Sequence, residues 1–173
     1  MESITQSLKD EKIKIVKDLF ELGILTTVAN GKQGLEGWNV VDNKEEYIAR
    51  TIALLKESSK YNLAINLQAS NLIALDIDDE EKFKQLYKSS FDTLACKTPR
   101  GFHFYFINDI GLNSNISLQK FGVEVHTNHL SNIFGEGYEL YIRELKKASE
   151  FTTFFNTILE LHDTLHSKKQ EKF

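Results

Sequence analysis

Cysteine, proline, tryptophan and methionine each occur once in these 173 residues. A lone cysteine, Cys96, cannot close an internal disulfide and leaves no cysteine cluster for structural zinc. The lone proline, Pro99, falls in the turn Thr98-Pro99-Arg100-Gly101, and no linker rich in turn residues divides the interior of the chain. No run approaches the roughly 18 consecutive apolar residues of a membrane span. The start Met1-Glu2-Ser3 lacks the basic and apolar regions of a signal peptide, so the expectation is a cytoplasmic protein with no membrane partner. Basic charge is also scarce: 21 Lys+Arg against 25 Asp+Glu leave a net charge of −4 and a pI near 5.8. That balance excludes a protein that coats nucleic acid by bulk charge, and confines any polyanionic partner to a local basic patch. The segment Gly31-Lys32-Gln33-Gly34 is too short and wrongly spaced for a phosphate-cradling loop of the Walker type.

What is present is a chain that is 41% hydrophobic, and one of this length buries about 70% of the surface its unfolded form exposes. Apolar residues at three- and four-residue spacing predict helices over 7–22 and 149–165, with a third from an Asp42 or Asn43 cap to about Lys60 and a fourth from Asp79 to about Ser89. Glu80 and Glu81 in the first turn of the last of these suit the positive end of a helix dipole. Short apolar runs predict strands. Residues 63–67 and 72–78 read as one antiparallel hairpin, 93–97 and 102–107 as a second around the proline turn, and 121–126 as a further strand. The economical architecture is α+β, a single domain over 1–166 followed by a charged tail at 167–173.

Alternation along three of these strands carries the chemistry, because successive residues point to opposite faces of a sheet. In Leu75-Asp76-Ile77-Asp78 the aspartates share one face. In Phe102-His103-Phe104-Tyr105-Phe106 the phenylalanines take one face, with His103 and Tyr105 on the other. In Val123-Glu124-Val125-His126 the valines oppose Glu124 and His126. If the apolar faces pack on helices, then Asp76, Asp78, Glu124, His103, Tyr105 and His126 share the open one. Carboxylates a few ångströms apart repel by about 1–4 kcal/mol per pair, so a cation should compensate them. Their hard oxygens suit Mg²⁺ or Mn²⁺, and two such ions would clamp the attacking and leaving oxygens of a phosphoryl transfer. Arg100, one of three arginines in the chain, and Lys97 stand close to His103 in sequence, so this hairpin is a candidate for holding a triphosphate. The spacing Glu124-x-His126-x-x-His129 reads as an open-face strand rather than zinc, and the His162/His166 pair is discounted.

The acidic strand Asp76-Ile77-Asp78, followed by Thr98-Pro99-Arg100-Gly101-Phe102-His103 and then by Glu124 in Gly122-Val123-Glu124-Val125, resembles the archaeo-eukaryotic primase superfamily. The bifunctional primase-polymerase (prim-pol) branch is the closest fit. Upstream, the stretch from Gly31 to Trp38 is similar to the family's loop ending in Gly-Trp, and the likeness spans about residues 20–142. It implies an RRM-like mixed or antiparallel sheet with flanking helices beside a small N-terminal α/β subdomain. It further implies that Asp76, Asp78 and Glu124 hold two divalent ions, Mg²⁺ or Mn²⁺, and that His103 contacts the phosphates of an incoming NTP or dNTP, assisted by Arg100 and Lys32. The implied activity is that of a DNA primase or primase-polymerase acting on a single-stranded DNA template and primer, in replication of a mobile element, phage or plasmid, with a helicase or other replication protein as partner. Two other readings stand beside it: a metal-dependent nuclease or phosphohydrolase, and a non-catalytic primase-like subunit. This sequence departs from the family at residues 126–134, which lack the proline-containing segment often found there.

Overall fold

Residues 4–170 are described by a computed structural model. In chain order the elements are α1 (Ile4–Glu21), β1 (Thr26–Asn30), β2 (Gln33–Gly34), α2 (Lys44–Glu57), β3 (Asn62–Asn66), β4 (Leu72–Ile77), α3 (Glu80–Phe83), β5 (Ala95–Lys97), β6 (Phe102–Ile107), β7 (Ile116–Leu118), β8 (Val123–His126), β9 (Leu130–Asn132), β10 (Glu139–Tyr141), β11 (Lys146–Lys147) and α4 (Thr152–Gln170). Helices and antiparallel sheets are mixed throughout, which is an α+β chain. Its contacts divide it into two units, Met1–Asn71 with Asn128–Leu140, and Leu72–Thr127 with Tyr141–Phe173.

In the first unit the strands lie in the order β2-β1-β3-β9, all antiparallel. Val16 and Leu19 of α1, Ile48 and Leu55 of α2, and Val28, Leu63 and Ile65 of the sheet are buried. The α2 start is the expected one, since Asn43 Oδ1 accepts from the Glu46 amide at 2.9 Å and satisfies an otherwise unpaired helix donor.

Residues 63–67 and 72–78 do not form the hairpin that their adjacent apolar runs predict. β3 pairs with β1 and β9, whereas β4 pairs with β6 and β8 in the other sheet. The connection is wound rather than folded back. The Asn66 carbonyl accepts from the Ser70 amide at 3.1 Å, the Asn66 side chain accepts from the Ala69 amide at 3.1 Å, and Asn71 adopts a φ of 53°. An Asn side chain that satisfies the amides ahead of it favours such a turn over a strand ladder.

The second unit is built on strands in the order β5-β6-β4-β8-β7, antiparallel at every step, with β11 running parallel to the end of β6. Its core gathers Ile73, Leu75 and Ile77 of β4, Phe106 of β6, and Val123 and Val125 of β8 against Phe154, Phe155 and Ile158 of α4. The alternation read from the sequence therefore assigns the apolar face correctly. α3 is capped by Asp79 as expected, through the Lys82 amide, but stops at Phe83 instead of reaching Ser89. Beyond it Leu86 N returns to Phe83 O in a tighter turn, and Tyr87 stacks on Phe91 at 4.6 Å within the aromatic core. Burying Phe91 and packing Tyr87 against the same core outweighs the weak gain from extending a short helix. Strand β8 begins at Val123, because residues 119–121 wind into a 3₁₀ turn closed by Gly122. α4 continues into the expected tail as far as Gln170, and 171–173 lie outside the described residues. No helix among the described residues is long and apolar enough to cross a membrane.

Candidate metal centre

Strand β4 is central in its sheet, and that position decides which polar residues meet. Asp76 lies opposite His103 on β6 and opposite Glu124 on β8. The row extends to Cys96 beyond His103 and to Ser117 beyond Glu124. Two residues along, Ala74 stands between Tyr105 and His126. Like charges directly opposite each other on neighbouring strands are destabilising, so an Asp76/Glu124 pair is a place where a fold spends stability.

Two close approaches hold the ends of these strands. A Cβ at Gly101 would come within 1.9 Å of the Ile77 carbonyl oxygen, so only glycine lets the β5–β6 turn lie against the end of β4. Gly122, at a φ of 64°, accepts with its carbonyl from the amides of Asp78 and Asp79 at 2.9 and 3.3 Å. Those bonds carry the chain past the end of β4 and fix where Asp78 begins.

The side chains converge. His103 Nε2 stands 3.3 Å from Asp76 Oδ1, while His126 Nε2 lies 3.8 Å from Asp76 Oδ2 and 3.2 Å from Glu124 Oε2. His103 Nδ1 meets the Tyr105 hydroxyl at 3.2 Å. Side-chain exposures of 20% for Asp76, 33% for Glu124 and 22% for His126 make the cluster half-buried, reachable from solvent yet shielded enough to strengthen its charges. The face is not open along its whole length, contrary to the expectation from alternation: Tyr105, Ala74 and Cys96 are fully buried. Solvent reaches it around Asp76 and Glu124.

Asp78 lies just past β4 and is exposed. Its carboxyl is pushed above the ordinary value of 3.8, first by partial burial and then by the negative charges of Asp76 and Glu124, with Arg100 and His103 opposing the shift. Because Asp78 stays largely in water, the neighbouring charges say more about its surroundings than the desolvation does. The four predicted residues Asp76, Asp78, Glu124 and His103 are thus mutually close, with Arg100 within electrostatic reach of Asp78. Lys97 pairs with Phe102 and so falls on the opposite face from His103. Lys32 belongs to the first unit, exposed in the turn between β1 and β2, and has no part in this row.

Asp76, Glu124 and His126 each offer one ligand atom within 4.8 Å of the others, and among the described residues this is the one group of three that could hold a metal ion. A further observation fits a cation there. Asp76 Oδ1 is buried, and among the described residues no donor reaches it in hydrogen-bond geometry, His103 Nε2 included despite its distance. A buried carboxylate oxygen without a donor costs free energy that a bound cation removes. No protein-family model matches the chain, and no curated protein matches it. His126 is a candidate donor that the sequence reading kept on the face but left out of the metal set: alternation puts it there, but its approach to Asp76 comes from strand order, which sets it diagonally across from Asp76 on the neighbouring strand. His162 and His166, whose rings meet at 4.2 Å, remain a pair without a third donor among the described residues.

Proposed function

We propose that this protein is a metal-dependent, template-directed nucleotidyltransferase of the primase-polymerase type, with the second unit's sheet as the RRM-like catalytic platform. The observation that carries the reading is the convergence of Asp76 and Glu124 across paired strands, with His103 on the other side of Asp76 and Asp78 at the strand end within electrostatic reach of Arg100. The order of these motifs along the chain, which resembles the primase superfamily, supports it.

In this proposal Asp76, Asp78 and Glu124 hold Mg²⁺ or Mn²⁺, two ions in all. Such ions, when bound, stabilise the charge that develops on attacking and leaving oxygens. The remaining chemistry falls to the chain. A primer 3′-hydroxyl oxygen attacks the α-phosphorus of an NTP or dNTP, the bond to the β-phosphate oxygen breaks, pyrophosphate leaves and the hydroxyl proton passes to solvent. His103 and Arg100 donate to the triphosphate oxygens, orienting the leaving group in line with the attacking hydroxyl. Single-stranded DNA template and primer complete the substrates, and a net charge of −4 makes binding to them weak and sensitive to salt, so a helicase or other replication protein would raise occupancy. We place this activity in the cytoplasm, in replication of a mobile element, phage or plasmid.

The test is synthesis on single-stranded DNA with labelled NTPs or dNTPs, with and without primer, in Mg²⁺ and in Mn²⁺, comparing wild type with Asp76→Asn. Incorporation by wild type and none by the variant is the expected result, and product without primer identifies priming. Release of label from a preformed strand would instead identify a nuclease. Inertness of folded, metal-loaded protein in every arm would leave a non-catalytic primase-like subunit.

A further inference from the structure

Imidazole and carboxylate do not select the same ions. Mg²⁺ is small, hard and reluctant to lose water, and proteins bind it through oxygen, whereas an imidazole nitrogen suits first-row transition ions. Three acidic side chains alone would predict an oxygen-only site. The side chains that meet here are two carboxylates and a histidine, Asp76, Glu124 and His126, with their donor atoms within 4.8 Å of one another.

We propose that one cation position in this centre is a mixed oxygen and nitrogen site, with His126 Nε2 as a direct ligand beside Asp76 and Glu124, and that it takes a transition divalent ion such as Mn²⁺ in preference to Mg²⁺. The inference rests on the reading above only in requiring a divalent site; it needs neither nucleotide nor DNA. Three observations support it. Nε2 of His126 points at both carboxylates, 3.2 Å from Glu124 Oε2 and 3.8 Å from Asp76 Oδ2, so all three donors aim into one space. Asp76 Oδ1 is buried and, although His103 Nε2 stands 3.3 Å away, no donor reaches it in hydrogen-bond geometry, so neither imidazole fully satisfies the carboxylate. The ligands sit on adjacent, antiparallel strands in fixed register rather than on loops, so little ordering is required when the ion arrives. Asp78, the residue that motif spacing selects as a ligand, is outside this group of three and exposed, which leaves it for an oxygen-only position.

The experiment uses the whole chain stripped of metal, with Mn²⁺ as the probe, followed by electron paramagnetic resonance for affinity and by electron spin-echo modulation for nitrogen coupling. Wild type is compared with His126→Gln, His126→Asp and His103→Gln, each checked for folding by thermal unfolding without metal. Wild type should bind Mn²⁺ with imidazole nitrogen coupling and should yield it poorly to Mg²⁺. The coupling should vanish in His126→Gln, with Mn²⁺ affinity down about tenfold or more. It should persist in His103→Gln. His126→Asp restores an oxygen-only set, so its ratio of Mg²⁺ to Mn²⁺ affinity should rise by about tenfold; this variant decides the matter if His126→Gln does not fold. Coupling that survives in His126→Gln, that disappears only in His103→Gln, or that is absent from Mn²⁺-loaded wild type overturns the proposal. Failure of wild type to bind Mn²⁺ at all overturns both this proposal and the metal-dependent reading. Nitrogen coupling without any nucleotide incorporation overturns the polymerase reading alone.

Discussion

Replacing Gly101 with alanine tests how the fold aligns the two sides of the candidate site. The added Cβ would meet the Ile77 carbonyl oxygen at 1.9 Å and its carbon at 3.0 Å, and both are backbone atoms of the central strand that cannot swing aside. Real contacts of this kind stay above 3.0 Å, so the start of β6 must retreat from β4 by about 1 Å. Overpacking at such a contact costs about 1–3 kcal/mol, and in a chain of this size each kcal/mol lowers Tm by about 2–4 °C. The retreat also moves His103, two residues on, away from its place opposite Asp76. A displacement of that size can cost roughly 100-fold in rate when it separates a positioning group from the reacting centre. Asp76, Glu124 and His126 lie on β4 and β8, on the far side of the disturbance, so Mn²⁺ affinity should be nearly unchanged. The assays are thermal and urea unfolding, Mn²⁺ titration and labelled-nucleotide incorporation on the same preparation. A Gly101→Ala protein with wild-type Tm and wild-type incorporation would refute the argument, and so would equal losses of Mn²⁺ affinity and activity.

Asp78→Asn should raise Tm at neutral pH in the absence of divalent ions. A carboxyl whose folded pKa is raised binds its proton more tightly in the native than in the unfolded state, so stability falls as pH rises from 3.8 through the folded value. Above that window the ionised Asp78 is destabilising, and below it the difference between wild type and variant should vanish; a Tm gap independent of pH would contradict this. Saturating Mn²⁺ at 100 times its Kd should stabilise the wild type by about 2.7 kcal/mol, roughly 5–10 °C in Tm, with no shift for the Asp76→Asn/Glu124→Gln double variant in differential scanning calorimetry. In the first unit, Lys12 is buried, its Nζ donating to the carbonyls of Ser59 and Tyr61 at 2.6 Å and lying over the Phe134 ring at 5.1 Å. Lys12→Met keeps the stem but strands those carbonyls, so urea unfolding should show a loss of about 2–4 kcal/mol.

The parts of this protein that could be read in advance are those set by short-range periodicity. Leu75/Ile77, Phe104/Phe106 and Val123/Val125 were assignable to one face because a strand alternates with period two whatever its neighbours, and the same rule set Asp76, His103 and Glu124 opposite them. The caps at Asn43 and Asp79 were legible for a similar reason, since each is a contact of three residues' span. The failures all involve longer range. The supposed hairpin of 63–67 with 72–78 failed because two apolar runs close in sequence say nothing about which sheet each will join, and the Asn66 side chain winds the connection. α3 ended early because Tyr87 and Phe91 both pack against Phe154, some sixty residues further along the chain.

The candidate centre shows the same division. Sequence alone determined that carboxylates and histidines would lie on one face of a sheet and that a cation should answer their charge, because alternation and Coulomb repulsion are local. Only the tertiary structure decided that β4 runs between β6 and β8, and therefore that Asp76 meets His103 on one side and Glu124 with His126 on the other. Strand order is set by the global burial of apolar faces against α4, a sum over residues far apart in the chain, and no window of sequence contains it.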